Sequence, residues 1–132
     1  MPVIIIKCDP PQIEPLNEFS VSVPPYKKCR PADGDEAFVW TSEDEGGTGL
    51  AFHGTLLSAA SNGGRGGAYT LRVRIEGYAT EGAPSRAALR THRDSEADGP
   101  MPKLARKLYT HALNKMACLQ GDEIIYLRTF FL

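Results

Sequence analysis

Residues 34 to 57 restrict the possible folds more than any other stretch, because they have the pattern of a β-hairpin. The stretch opens on a Gly-Asp turn signal, and in the strand that follows Phe38 and Trp40 share one face. Residues 43 to 49 are too polar and too rich in glycine to lie in a core, so they predict the connecting loop. The second strand then has an apolar face made of Leu50, Phe52 and Leu56.

Three other segments have strand patterns. Residues 3 to 7 are β-branched and uninterrupted, which is typical of a strand covered on both faces. Residues 19 to 23 alternate well enough for a short strand, whereas six prolines between residues 9 and 33 exclude a long helix there. Apolar and polar residues alternate most regularly over residues 69 to 76, so this strand is expected to have one face packed in the core and one face exposed to solvent.

Helical patterns follow the strands. Residues 84 to 90 predict one or two helical turns, and residues 103 to 118 predict a long helix with apolar side chains at 3.6-residue spacing. A second C-terminal helix is expected to start at Gln120, with acidic residues in its first turn. This order predicts an α+β fold in one domain over residues 1–132: a small curved or barrel-like sheet with flanking helices, two of them C-terminal.

The charge of the chain argues against a nucleic-acid partner held by bulk charge alone. The formal net charge is −1, and the 42% hydrophobic content is that of a globular protein. The charges are uneven, however: residues 33 to 45 hold six acids and no base, and residues 65 to 115 hold ten Lys or Arg against five acids. One side of the fold is therefore predicted to be positive.

Cysteine and histidine spacing predicts no metal site. Three cysteines, never as CxxC, favour reduced thiols and neither zinc binding nor a disulfide framework. His53, His92 and His111 lie far apart and lack partners at ligand spacing. The apolar run at the start is too short for a signal peptide or a membrane span, so we expect a cytoplasmic protein with no membrane partner, no metal and no cofactor.

Trp40, the only tryptophan, has two interpretations. In the first, it is a core residue at the end of a strand. In the second, its ring stacks on a flat ligand, and Thr41 and Ser42 form hydrogen bonds with the polar edge of that ligand. The basic residues likewise have two interpretations, as solvated surface residues or as phosphate contacts. The phosphate set would comprise Lys27, Lys28, Arg72, Arg74, Lys107 and Lys115, with Tyr26 beside the first two.

Two strings in the hairpin resemble the core of EVE domains within the PUA-like superfamily. They run from Gly34 to Trp40 and from Gly49 to Leu56, and the second contains a mid-strand glycine, Gly54. The first strand and residues 108 to 119 are also similar to EVE-like modules attached to restriction nucleases. The resemblance extends over most of the chain.

This resemblance implies a small PUA-like β-barrel that recognises DNA or RNA by holding a modified base in an aromatic pocket. The base-binding residues carried over are Trp40, Thr41 and Ser42. The second aromatic ring would come from Tyr26, Phe52 or Tyr69, and the sequence leaves these three open. No residue is assigned a catalytic role.

Two alternatives remain open at this point. One is a small hydrolase or nuclease on the same barrel, with Lys115, His111 or His53 acting together with Glu43 or Asp44. The other is a protein-interaction module, for which a homodimer through an exposed strand edge is the default expectation.

Overall fold

A six-stranded mixed sheet forms the centre of this computed structural model, which describes residues 3–24, 29–42, 48–61, 68–90, 92, 99–108 and 115–131, without the side chains of residues 86 and 87. The strand order is β2-β5-β4-β3-β1-β6. The strands are β1 (Val3–Cys8), β2 (Glu18–Val23), β3 (Glu36–Thr41), β4 (Gly49–Ser61), β5 (Tyr69–Tyr78) and β6 (Lys115–Cys118). The helices are α1 (Arg86–Arg90), α2 (Pro100–Leu108) and α3 (Gly121–Arg128).

The direction of the strands brings several strand ends to one end of the sheet. Strands β1 and β3 are parallel, while β3 with β4, β4 with β5, β5 with β2 and β1 with β6 are antiparallel. The carboxyl ends of β1, β3 and β5 therefore meet the start of β4. The sheet curls into a half-barrel, so these ends surround a concave surface.

One hydrophobic core fills the inside of this half-barrel. All six strands contribute to it, among them Ile4 and Ile6 of β1, Val39 of β3 and Met116 of β6. Because no helix contributes a buried residue to this cluster, the sheet must bury this face against itself, which requires the curl.

A second core lies between the outer face of the sheet and the helices. Ile5, Phe38 and Trp40 point outward and pack with residues of all three helices, including Leu89, Leu104 and Leu127. At the end of α2, the buried ammonium of Lys7 donates a hydrogen bond of 2.9 Å to the carbonyl of Leu108. A cation at this position suits the negative end of a helix and ties α2 to β1.

Most of the predicted elements are confirmed. The strands expected at residues 3 to 7, 19 to 23 and 69 to 76 are β1, β2 and β5. In β5 the core face is buried, and Arg74 and Glu76 on the other face are exposed. The helix expected after Gln120 is α3, whose Glu123 accepts a hydrogen bond of 2.8 Å from the backbone N–H of Gln120.

The prediction of one helix over residues 103 to 118 is wrong. The helix ends at Leu108, residues 109–114 lie outside the described residues, and Lys115–Cys118 form strand β6. Met116 fits a helical stripe by spacing, but pairing with β1 places it in the inner core and its neighbour Ala117 in the outer core. Tertiary pairing has here overridden the local pattern.

The predicted shared face of Leu50, Phe52 and Leu56 is also wrong. Leu50 packs in the outer core, whereas Leu56 lies in the inner core with Phe52 packed against it. The reason is a β-bulge: Trp40 pairs with Leu50 but Val39 pairs with Phe52, so one extra residue shifts the alternation.

Two of the three cysteines form a disulfide, which corrects the expectation of three reduced thiols. Cys29 is bonded to Cys118 over a sequence separation of 89 residues, and Cys8 remains as a buried thiol. Burial, followed by the nearby charge of Asp9, raises the pKa of the Cys8 thiol from 9.0 to about 12. The reduced thiols were one reason to expect a cytoplasmic protein, and that reason no longer holds.

We predict that Gly54→Ala destabilises the fold strongly. An added Cβ would lie 1.9 Å from the backbone carbonyl oxygen of Arg74, so β4 and β5 would have to separate. We expect the free energy of unfolding to fall by about 3 kcal/mol, the upper range for overpacking. Urea denaturation followed by circular dichroism measures this loss. Gly121→Ala is the matched control, since nothing lies within 4 Å of its added Cβ, and equal midpoints for the two variants would contradict the prediction.

Candidate functional site

A cleft of about 460 Å³ opens at the end of the half-barrel where β1, β3 and β5 finish and β4 begins. Strands β3, β4 and β5 and the segments that follow β1 and β5 contribute lining residues, because the strand directions bring these ends together. The described lining residues are Pro10, Pro11, Thr41, Thr48, Leu50, Ala51, Phe52, Tyr78, Ala79, Thr80, Gly82 and Ala83. This volume lies in the range of small-molecule sites, about 300–1,000 Å³.

Two aromatic rings form one wall of the cleft. Phe52 and Tyr78 are cross-strand partners, and their rings meet edge to face with centroids 5.5 Å apart. Phe52 is held from behind by Phe19 of the inner core at 6.4 Å, whereas the side chain of Tyr78 is 58% exposed. An exposed ring fixed against a partly buried one offers a stacking surface at little conformational cost.

Backbone hydrogen bonds hold the segments around the cleft in place. The Ser42 N–H donates to the Cys8 carbonyl at 2.8 Å, and the Leu50 N–H donates to the Pro84 carbonyl at 3.0 Å. The Ala79 N–H donates to the Ala51 carbonyl at 2.9 Å. The walls are thus linked across separate parts of the chain, which gives a largely preformed site.

Thr41 links the two strands of the hairpin at the edge of the cleft. Its buried hydroxyl accepts a hydrogen bond of 2.9 Å from the Thr48 N–H and donates one of 3.2 Å to the Gly49 carbonyl. These bonds position Thr48 and Gly49 after the loop. Ser42, the other polar residue predicted at this strand end, is buried with 3% exposure.

Trp40, the residue predicted to stack on a base, has no exposed surface and packs in the outer core. It lies next to the cleft but behind its wall, since its strand partner Leu50 and its neighbour Thr41 both line the cleft. Tyr69 lies at the opposite end of β5 from Tyr78. Tyr26 lies outside the described residues.

The structure does not gather the predicted phosphate-binding residues around the cleft. Arg72 is paired with Glu14 and Glu18, each at 3.0 Å, and Arg74 also approaches Glu18. Lys107 is paired at 2.5 Å with Glu123. Three strands separate β5 from β6, the strand that carries Lys115. None of these four is among the described lining residues, and Lys27 and Lys28 lie outside the described part of the chain.

Lys115 has a distinct environment. Burial lowers the pKa of its ammonium group. Its partner on the neighbouring strand β1 is Lys7, another cation. Burial therefore disfavours the charged form of this amine.

Glu36, His53 and Arg128 form a polar cluster outside the cleft. His53 Nε2 lies 2.8 Å from a Glu36 oxygen, and Arg128 donates to both oxygens of that carboxylate. The Arg128 hydrogen bond is the main cause that lowers the pKa of Glu36, with a smaller contribution from His53. The His53 ring also packs 5.4 Å from Phe131. This cluster ties the end of α3 to the sheet, and its carboxylate is fully engaged.

Two further observations concern metal binding and helices that could cross a membrane. Within the described ranges, no group of three or more His, Cys, Asp or Glu residues is placed to hold a metal ion. No helix in the part of the chain that the structure describes is long and apolar enough to cross a membrane.

The sequence does not predict Tyr78, Thr80 or the Pro10-Pro11 pair as lining residues. Phe52 was among the open choices for a second ring, whereas Tyr78 lies two residues beyond the strand predicted over residues 69 to 76. Tyr78 faces Phe52 in the same register that pairs Ser61 with Tyr69, because the two register shifts between these pairs cancel, so their contact depends on how far β4 and β5 continue as a hairpin.

Comparisons with known proteins leave the site to be interpreted from its own geometry. No family model matches the chain, no curated protein matches it, and no solved structure matches it.

Proposed function

We propose that this chain is a non-enzymatic, EVE-like module with a PUA-like barrel that binds DNA or RNA by holding one unpaired base in the cleft. The observation that supports this proposal is the exposed ring of Tyr78, fixed edge to face against Phe52 in a cleft of about 460 Å³. The exposed face of this ring is a surface on which a flat ligand can stack.

The chemistry of the lining supports a base rather than a charged group. None of the described lining residues is charged, whereas the hydroxyls of Thr48, Thr80 and Tyr78 offer hydrogen bonds to the edge of a ring. An unpaired base presents both features that this lining recognises, a π-face and a polar edge. A base from a duplex would first have to be flipped out, at a cost of a few kcal/mol.

In this proposal Tyr78 and Phe52 face the ligand, and Trp40 supports the wall from behind. Thr41 and Ser42 hold the strand ends that shape the cleft. Phosphate contacts by the predicted basic residues remain a prediction, and Arg72 or Lys107 would have to exchange a carboxylate partner to make them.

Tyr78→Ala is expected to weaken binding of short single-stranded oligonucleotides by about tenfold. Base–aromatic stacking is worth about 1–3 kcal/mol by alanine substitution. Fluorescence anisotropy of labelled DNA and RNA, each with and without methylated or hydroxymethylated cytosine, measures the change at two salt concentrations.

Tyr69→Ala is the matched control, because it removes the same side chain from the opposite end of β5. Affinity that falls in the Tyr78 variant and persists in the Tyr69 variant supports the cleft. Equal losses in the two variants, or affinity that disappears with salt alone, would reject base binding there.

A further inference from the structure

The turn that follows α3, residues 129 to 131, is bonded to the wall of the cleft. The Thr80 N–H donates a hydrogen bond of 2.8 Å to the carbonyl of Phe130 in this post-α3 turn. Thr80 lines the cleft two residues after Tyr78, and its hydroxyl is one of those proposed above to bond the edge of a base. The turn itself is not among the described lining residues, so it would act on a ligand through Thr80.

The post-α3 turn also packs on β5 just before Tyr78. The ring of Phe131 lies over Gly77, since a Cβ added to that glycine would be 3.6 Å from the Phe131 Cδ1 atom. The same ring packs against Phe38 and His53, with ring centroids 5.7 Å and 5.4 Å away. The turn therefore contacts the chain of β5 on both sides of Tyr78.

The carboxylate of Glu36 anchors this turn to the sheet. Arg128, the last residue of α3, donates hydrogen bonds to both oxygens of Glu36, a bidentate and charge-assisted contact. The Arg128 carbonyl in turn accepts a hydrogen bond of 3.1 Å from the Phe131 N–H. His53 Nε2 lies 2.8 Å from the same carboxylate. Because Glu36 and His53 belong to the paired strands β3 and β4, the sheet supports the turn.

On the basis of the proposed function, we infer that Glu36, His53 and Arg128 are positioning residues that set where Thr80 presents its hydroxyl to the bound base. A hydrogen bond requires its heavy atoms to lie within about 3.2 Å, so a small displacement of Thr80 breaks its bond to the base edge. Stacking on Tyr78 tolerates such a displacement, because aromatic pairs attract at centroid separations of about 4.5–7 Å. The cluster therefore governs how tightly the polar edge of the base is held.

Arg128→Ala weakens the anchor at a residue that belongs to neither core and whose side chain is 56% exposed. We expect the affinity for a single-stranded oligonucleotide to fall about fivefold, within the range for coupling through packed elements. In amide hydrogen exchange, the protection of the Thr80 N–H should fall by about the same factor. Arg128→Lys keeps a cation beside Glu36 and should restore part of both losses.

Lys103→Ala is the matched control, since it breaks an ion pair of 2.9 Å with Asp122 at the other end of α3. Neither the affinity nor the protection of Thr80 should change in this variant. Losses equal to those of Arg128→Ala would show a general loosening of α3 and overturn the inference.

A double-mutant cycle establishes whether Arg128 acts through Thr80. Thr80→Val removes the hydroxyl and keeps the backbone N–H. We expect the double variant Arg128→Ala, Thr80→Val to bind about as weakly as Thr80→Val alone, because both changes remove the same contact.

Two results would overturn the inference and leave the proposed function standing. One is a double variant whose loss is the product of the two single losses. The other is unchanged affinity in an Arg128→Ala protein whose Thr80 N–H has lost its protection. Absence of oligonucleotide binding by the unmodified protein would overturn both the inference and the proposed function.

Discussion

Loss of the Cys29–Cys118 disulfide is expected to lower the free energy of unfolding by about 4 kcal/mol. The bond closes a loop with a sequence separation of 89 residues, and a loop of that length greatly restricts the unfolded chain. It also joins the segment after β2 to the end of β6, a four-residue strand at the edge of the sheet. Urea denaturation of the double variant Cys29→Ser, Cys118→Ser measures the loss.

Reduction provides the matched comparison. Dithiothreitol should lower the unfolding midpoint of the unmodified protein to that of the double variant, and it should leave the variant unchanged. Cys8→Ala keeps the bond and should still respond to the reductant. A thiol titration of the unfolded, non-reduced protein should find one thiol per chain, the one on Cys8; three thiols would contradict the assignment.

Trp40→Ala is expected to cost about 3–5 kcal/mol of stability, as other truncations of large core aromatics do. The side chain is fully buried in the outer core, where Phe38, Leu50 and Leu104 also lie. The cavity would separate β3 from the helices. Thermal or urea unfolding followed by circular dichroism reports this change, since the variant has no tryptophan fluorescence.

The variant Trp40→Phe distinguishes a structural role of residue 40 behind the cleft wall from direct contact with the ligand. It keeps an aromatic ring in the core and is expected to fold and to bind oligonucleotides about as well as the unmodified protein. If this variant folds but loses binding while Tyr78→Ala retains it, Trp40 contacts the ligand and the cleft is not the site.

Alternation along the strands made most of the sheet predictable. In β5 the residues follow a period of two, so its buried and exposed sides could be assigned before any pairing was known. Strand β3 is buried on both faces, so its alternation separates the two cores instead. The acidic residues in the first turn of α3 predicted that helix. The mid-strand glycine, Gly54, lies in β4 as expected, where the backbone of β5 approaches closely.

The features that escaped prediction depend on contacts between distant parts of the chain. Strand β6 is too short to show a pattern of its own, and it is stabilised by pairing with β1. The bulge in β4 opposite Val39 and Trp40 places Phe52 on the inner face, and β5 continues past the predicted strand to place Tyr78 opposite it. The disulfide joins two cysteines whose spacing in sequence gives no sign of their proximity.

Of the residues predicted at the end of β3, Thr41 lines the cleft and Trp40 does not. The end of β3, with Thr41, does border the cleft, as the position of polar residues after a core strand suggested. The ring at that strand end, Trp40, points to the opposite face from the inner core, because Val39 and Trp40 alternate. The exposed ring is supplied by β5.

Backbone amide NMR tests the central claim most directly, by titrating the ¹⁵N-labelled protein with a short single-stranded DNA that bears one methylated cytosine. The account predicts the largest shift changes at the residues around the cleft, in particular Ala51, Phe52, Ala79 and Gly82. Changes centred on Tyr69, Arg72 and Arg74 would instead place the nucleic acid at the far end of β5 and contradict it. So would the absence of any change at the cleft.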